Sequence, residues 1–307
     1  RTRLARMYSF DAYPSPAGYF VAADGLQLPW FEYGDPKAAQ TILLLNGFTC
    51  NQFNIAKIVA GLSDNYRIVT FDYRGQGLAW QIEHENVSVD AVMADIDAFY
   101  RHLGSPRVIL MGYSMGCQLA VEWNYRDNGN VQAMVLLLGI YGSIFDTFLG
   151  LGIFAPLLRI TYDLFPRFKE FYKAAWKLAH SLPYPLRVAL GKGTLLNPDK
   201  VSEEELRPFL DQLAELDFEY LLHMSHAIHH HTNEGQYHRI AAPCLIISGE
   251  NDLFALPLHS ERVHQAVPGS WYVSIPGGTH NAVLENSEEI VEVVREFLQN
   301  KKSPGAS

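Results

Sequence analysis

A chain of 307 residues suits one large domain, or a core with a sizeable insertion. With 48% hydrophobic and 19% charged residues it can bury a full core, and its net charge of −9 argues against nucleic acid as a partner. The three cysteines, Cys50, Cys117 and Cys244, are odd in number and lack metal-ligand spacing, so they read as buried thiols of a reduced, cytoplasmic protein.

Residues 1–18 read as an irregular leader punctuated by Pro14 and Pro16. Arg1, Arg3 and Arg6 there precede no apolar stretch of signal-peptide length, and the start at Arg rather than Met leaves an upstream targeting segment open. Two short strands, Tyr19–Ala22 and Leu28–Tyr33, flank the hairpin pair Asp24-Gly25. Then the period changes. Strands at 41–45, 67–71, 107–112 and 133–138 alternate with helical patterns at 52–62 and 89–103 and with the helix after residue 114. Continuous apolar strands of this kind imply a mostly parallel sheet with helices on both faces.

The alternation stops near Tyr141. For about a hundred residues the pattern is helical and rich in aromatics, and strands resume at 244–248 and 271–275, with helices at 258–266 and 288–300. The expected organisation is therefore an α/β core over 19–140 and 241–300, interrupted by a helical lid over 141–240. The most apolar stretch, Ile144 to Phe165, is broken by Asp146, Pro156, Arg159 and Asp163, so no membrane span is expected.

The chemistry centres on Gly112-Tyr113-Ser114-Met115-Gly116, placed between a strand and a helix. Gly-x-Ser-x-Gly in that setting is a nucleophile elbow, a turn so tight that the serine backbone is strained and its hydroxyl projects from the sheet edge. A serine hydroxyl needs a base, and a base needs an orienting carboxylate. Gly249-Glu250-Asn251-Asp252 and Gly277-Gly278-Thr279-His280 each follow a buried strand, which places Asp252 and His280 at the same sheet edge, in the order the elbow expects. Asp146, after the preceding strand, is the other available acid.

On these residues the chain resembles the α/β-hydrolase superfamily over roughly residues 19–300, apart from the lid. The resemblance implies an eight-stranded sheet with Ser114 as nucleophile, His280 as base and Asp252 as acid. It implies an oxyanion hole from the backbone N–H groups of Met115 and of Phe48 in Asn46-Gly47-Phe48-Thr49, where Asn46 replaces the family's usual histidine. Phe71-Asp72-Tyr73-Arg74-Gly75-Gln76-Gly77-Leu78-Ala79 is similar to the superfamily's Asp-x-Arg-Gly-x-Gly-x-Ser turn, with Arg74 expected to pair with a carboxylate. Haloalkane dehalogenases and epoxide hydrolases require aspartate at position 114, so acyl chemistry is expected.

The leading expectation is a serine hydrolase of apolar carboxylic esters, lactones or lipid esters. It needs no cofactor or metal, and Asn46, Phe53 and Tyr113 are expected at the substrate. A carbon–carbon bond hydrolase, an acyltransferase and a non-catalytic receptor on the same fold are the alternatives. In the lid, Phe168, Phe171, Tyr172, Ala175, Trp176 and Ala179 share a helical face opposite Lys169, Lys173 and Lys177. That pattern reads as aromatics on the core and solvated lysines, with a membrane-surface helix as the sharper alternative. The cluster His223, His226, His229, His230, His231 and His238 reads as a solvated helix end; lining of the active-site mouth and metal binding are the alternatives.

Overall fold

Branched aliphatic residues favour the extended backbone, and eight such segments form one sheet in a computed structural model that describes residues 13–80, 87–126, 130–192 and 196–300. Most of the leader expected at 1–18 thus lies outside the described residues. The strands are β1 (Gly18–Val21), β2 (Gln27–Tyr33), β3 (Thr41–Leu45), β4 (Arg67–Phe71), β5 (Val108–Tyr113), β6 (Val131–Leu137), β7 (Cys244–Gly249) and β8 (Trp271–Ile275). Their spatial order is β1-β2-β4-β3-β5-β6-β7-β8. Pairing is antiparallel for β1–β2 and β2–β4 and parallel from β4 to β8.

All five residues of β3 are buried because both faces of the sheet are covered. Ile42 and Leu44 pack with Ile58 of α1 (Gln52–Leu62) and Phe297 of α11 (Ser287–Asn300). Leu43 and Leu45 pack on the other face, in the cluster holding Phe99 of α2 (Val89–His102) and Trp123 of α3 (Met115–Arg126). Each such side chain stabilises the fold by about 1.5–3 kcal/mol. α9 (Pro257–Ala266) and the single turn α10 (Ala282–Glu285) complete the helical layers. No described helix is long and apolar enough to cross a membrane.

Between β6 and β7 the chain forms α4 (Ile144–Thr147), α5 (Phe154–His180), α6 (Tyr184–Gly191), α7 (Glu203–Glu215) and α8 (Phe218–His230). This insertion has a small core of its own around Leu206, Phe209 and Leu210. It sends Tyr220, Met224 and Ile228 of α8 into the core of the sheet.

The orientation of α5 departs in part from the expectation from sequence: Tyr172 and Trp176 turn inward and Lys177 is exposed as expected, whereas Phe168, Phe171, Lys169 and Lys173 are not placed as expected. The helix bends at Phe168 (φ −123°, ψ 28°), two residues after Pro166, which has no N–H for the helical ladder. The face turned to α8 carries Lys169 and Lys173: Lys169 Nζ lies 2.7 Å from Glu219, and Lys173 Nζ lies 3.3 Å from Glu219 and 3.4 Å from Asp217. Tyr172 and Trp176 pack on Phe218 between them, and Trp176 Nε1 donates to the Leu216 carbonyl at 3.1 Å. Phe168 and Phe171 face outward and are exposed. The reason is non-local: Asp217 and Glu219 open α8, and their carboxylates draw two of the three lysines inward.

The histidine cluster is not a simple solvated end either. His226 stacks on Tyr162 of α5 at 3.9 Å and packs on His230 at 4.5 Å, while His231 Nε2 sits 3.2 Å from Glu122. Desolvation, then the charges of His230, His229 and His223, hold His226 below the usual histidine range. Among the described residues no group of three or more His, Cys, Asp or Glu could hold a metal.

Arg74 behaves as its motif implies. Its guanidinium grips Asp95 through Nε (2.7 Å) and Nη2 (2.6 Å) and reaches Asp24 with Nη1 at 2.9 Å, joining the hairpin turn, the glycine-rich turn and α2. Among the described residues, Asp72 in the same turn has no cation within ion-pairing distance. It accepts from Tyr13 Oη (2.9 Å), Gln52 Nε2 (2.8 Å) and the Leu78 amide (2.8 Å), yet desolvation outweighs these donors and pushes its carboxyl up to about 6. Because the folded state holds this proton more tightly than the unfolded chain, the associated stability is full below about pH 4 and is lost as pH rises through about 6. Asp72→Asn should remove that dependence, on the order of 3 kcal/mol between pH 4 and 7, in urea titrations at several pH values. A parent and variant whose stabilities run parallel across this window would refute the assignment.

Candidate active site

Three loops leave the carboxyl ends of β5, β7 and β8 and converge on one point, as ligand sites do in open α/β sheets. Ser114 follows β5 directly and has φ 53°, a left-handed conformation costly for a residue with a Cβ. Its amide donates to the Leu137 carbonyl at 2.9 Å, and its carbonyl accepts from the Cys117 amide at 2.9 Å, so both sides of the turn are tied down. Gly116 is required by close approach: a Cβ there would lie 2.0 Å from the Leu45 carbonyl oxygen of β3.

The Ser114 hydroxyl lies 2.8 Å from His280 Nε2, and His280 Nδ1 lies 2.8 Å from Asp252 Oδ2. The other carboxylate oxygen, Oδ1, accepts from the amides of Phe254 (2.8 Å) and Ala255 (2.7 Å), so Asp252 is fully engaged although completely buried. Asp146, the alternative acid, sits exposed in the first turn of α4. Serine and histidine are 6% and 8% exposed, enough to meet a ligand while most water is excluded. A hydroxyl bonded to an imidazole whose far nitrogen meets a carboxylate can lose its proton during attack on a carbonyl.

The loop after β3 lies against the serine. A Cβ on Gly47 would approach Cys50 Sγ to 2.9 Å and Ser114 Cβ to 3.2 Å. Asn46 shapes this loop: its Nδ2 donates to the Asn51 carbonyl at 2.9 Å, and its Oδ1 accepts from the Gly47 amide at 2.9 Å. Asn51 in turn caps α1, accepting from the Phe53 amide at 2.8 Å. The Met115 amide opens α3, where helix geometry supplies no acceptor and the dipole favours negative charge. Cys50 is no rival nucleophile. Burial pushes its thiol up to about 12, and Sγ donates to the Phe48 carbonyl at 3.4 Å.

A model of the alpha/beta hydrolase family matches residues 42–293. The chain belongs to that family. Epoxide hydrolase 3 of Xenopus tropicalis is 23% identical to this hydrolase over 293 residues, covering 92% of this chain and 77% of that protein. Among solved structures, the esterase EaEST of Exiguobacterium antarcticum superposes with a TM-score of 0.71 at 17% identity, over 92% of this chain and 99% of the esterase. The enol-lactonase of Burkholderia xenovorans LB400 gives 0.71 at 21% identity, over 92% and 99%. These structural likenesses establish the fold.

The three residues expected at the substrate are engaged within the hydrolase itself. Asn46 is buried in its loop, and Phe53 sets its ring edge-on to Tyr13 at 5.0 Å. The Tyr113 hydroxyl donates to the backbone carbonyl of His280 at 2.9 Å, its ring stacked on the imidazole at 5.8 Å. Sequence reasoning missed Phe254, whose ring stacks on His280 at 4.4 Å while its amide serves Asp252. Its place two residues after Asp252 was the available signal. It also missed Glu285, which accepts from Thr279 Oγ1 at 2.9 Å beside the base. Phe254→Ala should slow capture of Ser114 by a fluorophosphonate probe roughly 10- to 100-fold by letting the imidazole drift. Phe254→Tyr should keep most of the rate, and equal rates in all three proteins would remove the ring from the site.

Proposed function

We propose that this hydrolase cleaves carboxylic esters, including lactones or lipid esters, of apolar substrates through an acyl-enzyme on Ser114. The observation that carries the reading is the continuous 2.8 Å, 2.8 Å relay from Ser114 through His280 to Asp252. In the proposed cycle Ser114 Oγ attacks the carbonyl carbon and its proton passes to His280 Nε2. The amides of Phe48 and Met115 hold the oxyanion. His280 then protonates the leaving alcohol, the carbonyl re-forms, and the acyl group stays on Ser114. Water, deprotonated by His280, then attacks the acyl carbon; the bond to Ser114 Oγ breaks as His280 returns the proton to that oxygen, and the acid leaves.

The helical insertion supports the apolar part of the proposal and serves in it as a lid. Tyr220 of α8 comes within 6.3 Å of Phe48, and Gln212 of α7 donates to the Thr49 carbonyl at 3.3 Å, so the insertion covers the oxyanion loop. Epoxide opening through an alkyl-enzyme ester would need a carboxylate at position 114, and serine argues against it. Three free, buried cysteines fit a reduced, cytoplasmic setting.

Turnover of p-nitrophenyl esters from acetate to palmitate should be readily measured, and Ser114→Ala should lower kcat by roughly four to six orders of magnitude. No turnover, with Ser114 still labelled by a fluorophosphonate, would redirect the relay to a carbon–carbon bond or to acyl transfer. Neither turnover nor labelling would make the protein a receptor. Asn46→Ala frees the loop that carries Phe48, so kcat should fall roughly 10- to 1,000-fold with KM little changed. A pure rise in KM would instead make Asn46 a substrate contact.

A further inference from the structure

Helix α5 displays apolar side chains outward along its whole length. Ile153, just before its first turn, and Leu157, Ile160, Leu164, Phe171 and Leu178 within it are each between 41% and 69% exposed. Monomers rarely leave so long an apolar stripe in water. Its spacing is regular: with Arg167 and Ala174 in the two remaining places, the stripe steps by four and three residues in alternation, the seam of a helix pair. The stripe runs over both arms of this 27-residue helix, which bends at Phe168.

We infer that this stripe is the interface of a homodimer, in which α5 packs antiparallel on α5 of a second copy. A two-fold axis near the bend at Pro166–Phe168 sets each arm of one helix against the opposite arm of the other. In the register it sets, Ile153 faces Leu178 of the second copy, Ile160 faces Phe171, and Leu157 faces the small Ala174. Arg167, central in the seam, then lies beside Asp163 of the second copy. Of the exposed charges along the helix, Arg159, Asp163, Arg167, Glu170 and Lys177, this register brings Arg167 of each copy next to Asp163 of the other, an opposite-charge pair formed twice by symmetry. A lipid surface fits less well. Two acids lie along the stripe, and the whole chain carries −9, which an anionic bilayer would repel.

Sedimentation equilibrium of the full chain from micromolar to hundreds of micromolar should give twice the 34.6 kDa chain mass. The double variant Leu157→Glu, Phe171→Glu should sediment as a monomer with an unchanged circular dichroism spectrum, since both side chains are already exposed. Arg167→Asp should weaken dimerisation at least roughly tenfold, and adding Asp163→Arg should restore it. The native cysteines are all buried, so introduced thiols report cleanly. Leu157→Cys with Ala174→Cys should cross-link two chains under mild oxidation, whereas Leu157→Cys alone should not. A parent that stays monomeric overturns the inference, as does a dimer that survives the glutamates or fails to cross-link. Flotation of the monomer with phosphatidylserine vesicles would overturn it in favour of a lipid surface.

Discussion

The constraint on which the site depends is the left-handed backbone at Ser114. Conformations of this kind cost of order 1–3 kcal/mol and persist only where the surroundings over-determine them. Here β5 is wholly buried between β3 and β6, so its end cannot shift sideways. The absent Cβ of Gly116 lets α3 start against the Leu45 carbonyl, and the hydrogen bonds of Ser114 to Leu137 and Cys117 clamp the turn from both sides. Strand burial thus holds the hydroxyl in place. The loop after β3 packs within van der Waals reach of it, and the loops after β7 and β8 meet it from the other direction.

Each of those loops is also fastened to the helical insertion. The Leu149 amide donates to the Leu253 carbonyl at 2.9 Å, next to Asp252, and Phe148 sets its ring edge-on to Phe254 at 4.8 Å. The Asn197 amide donates to Glu285 at 2.6 Å, and the same carboxylate holds Thr279, the neighbour of His280. Gln212 holds Thr49 beside Phe48. Three separate segments of the insertion therefore brace the loops that carry Asp252, His280 and Phe48. A displacement of the insertion would be felt by all of them at once.

What could be read in advance follows from the range of the interactions involved. The strands and the elbow depend on local facts: runs of branched residues, a glycine on each side of a serine, and a turn directly after a strand. Thr41–Leu45, Arg67–Phe71 and Trp271–Ile275 fall where the apolar runs predict. Asn46 shows where local reading stops. It stands in place of the usual histidine, and its amide bonds to Asn51 and to Gly47, a fit that only the folded loop reveals. The orientation of α5 was beyond reach for the same reason. The helix has apolar residues on two faces, and the choice between them was made by Asp217 and Glu219, which lie far along the chain, after the next two helices.

That choice has an energetic consequence. Ion pairs with exposures like those of Lys169 and Lys173 contribute roughly 0–1 kcal/mol each, whereas each large apolar side chain left in water forgoes about 1.5–3 kcal/mol of burial. An isolated chain therefore gives up more on the outer face of α5 than the lysine pairs on its inner face return. Tyr172 and Trp176 packed on Phe218 recover part of the difference. The remainder is recovered only if the outer face is itself covered, and a covering that spans both halves of the bend would hold α5 rigid as well. Since the insertion that α5 belongs to braces all three active-site loops, whatever buries that stripe also steadies the relay beneath it.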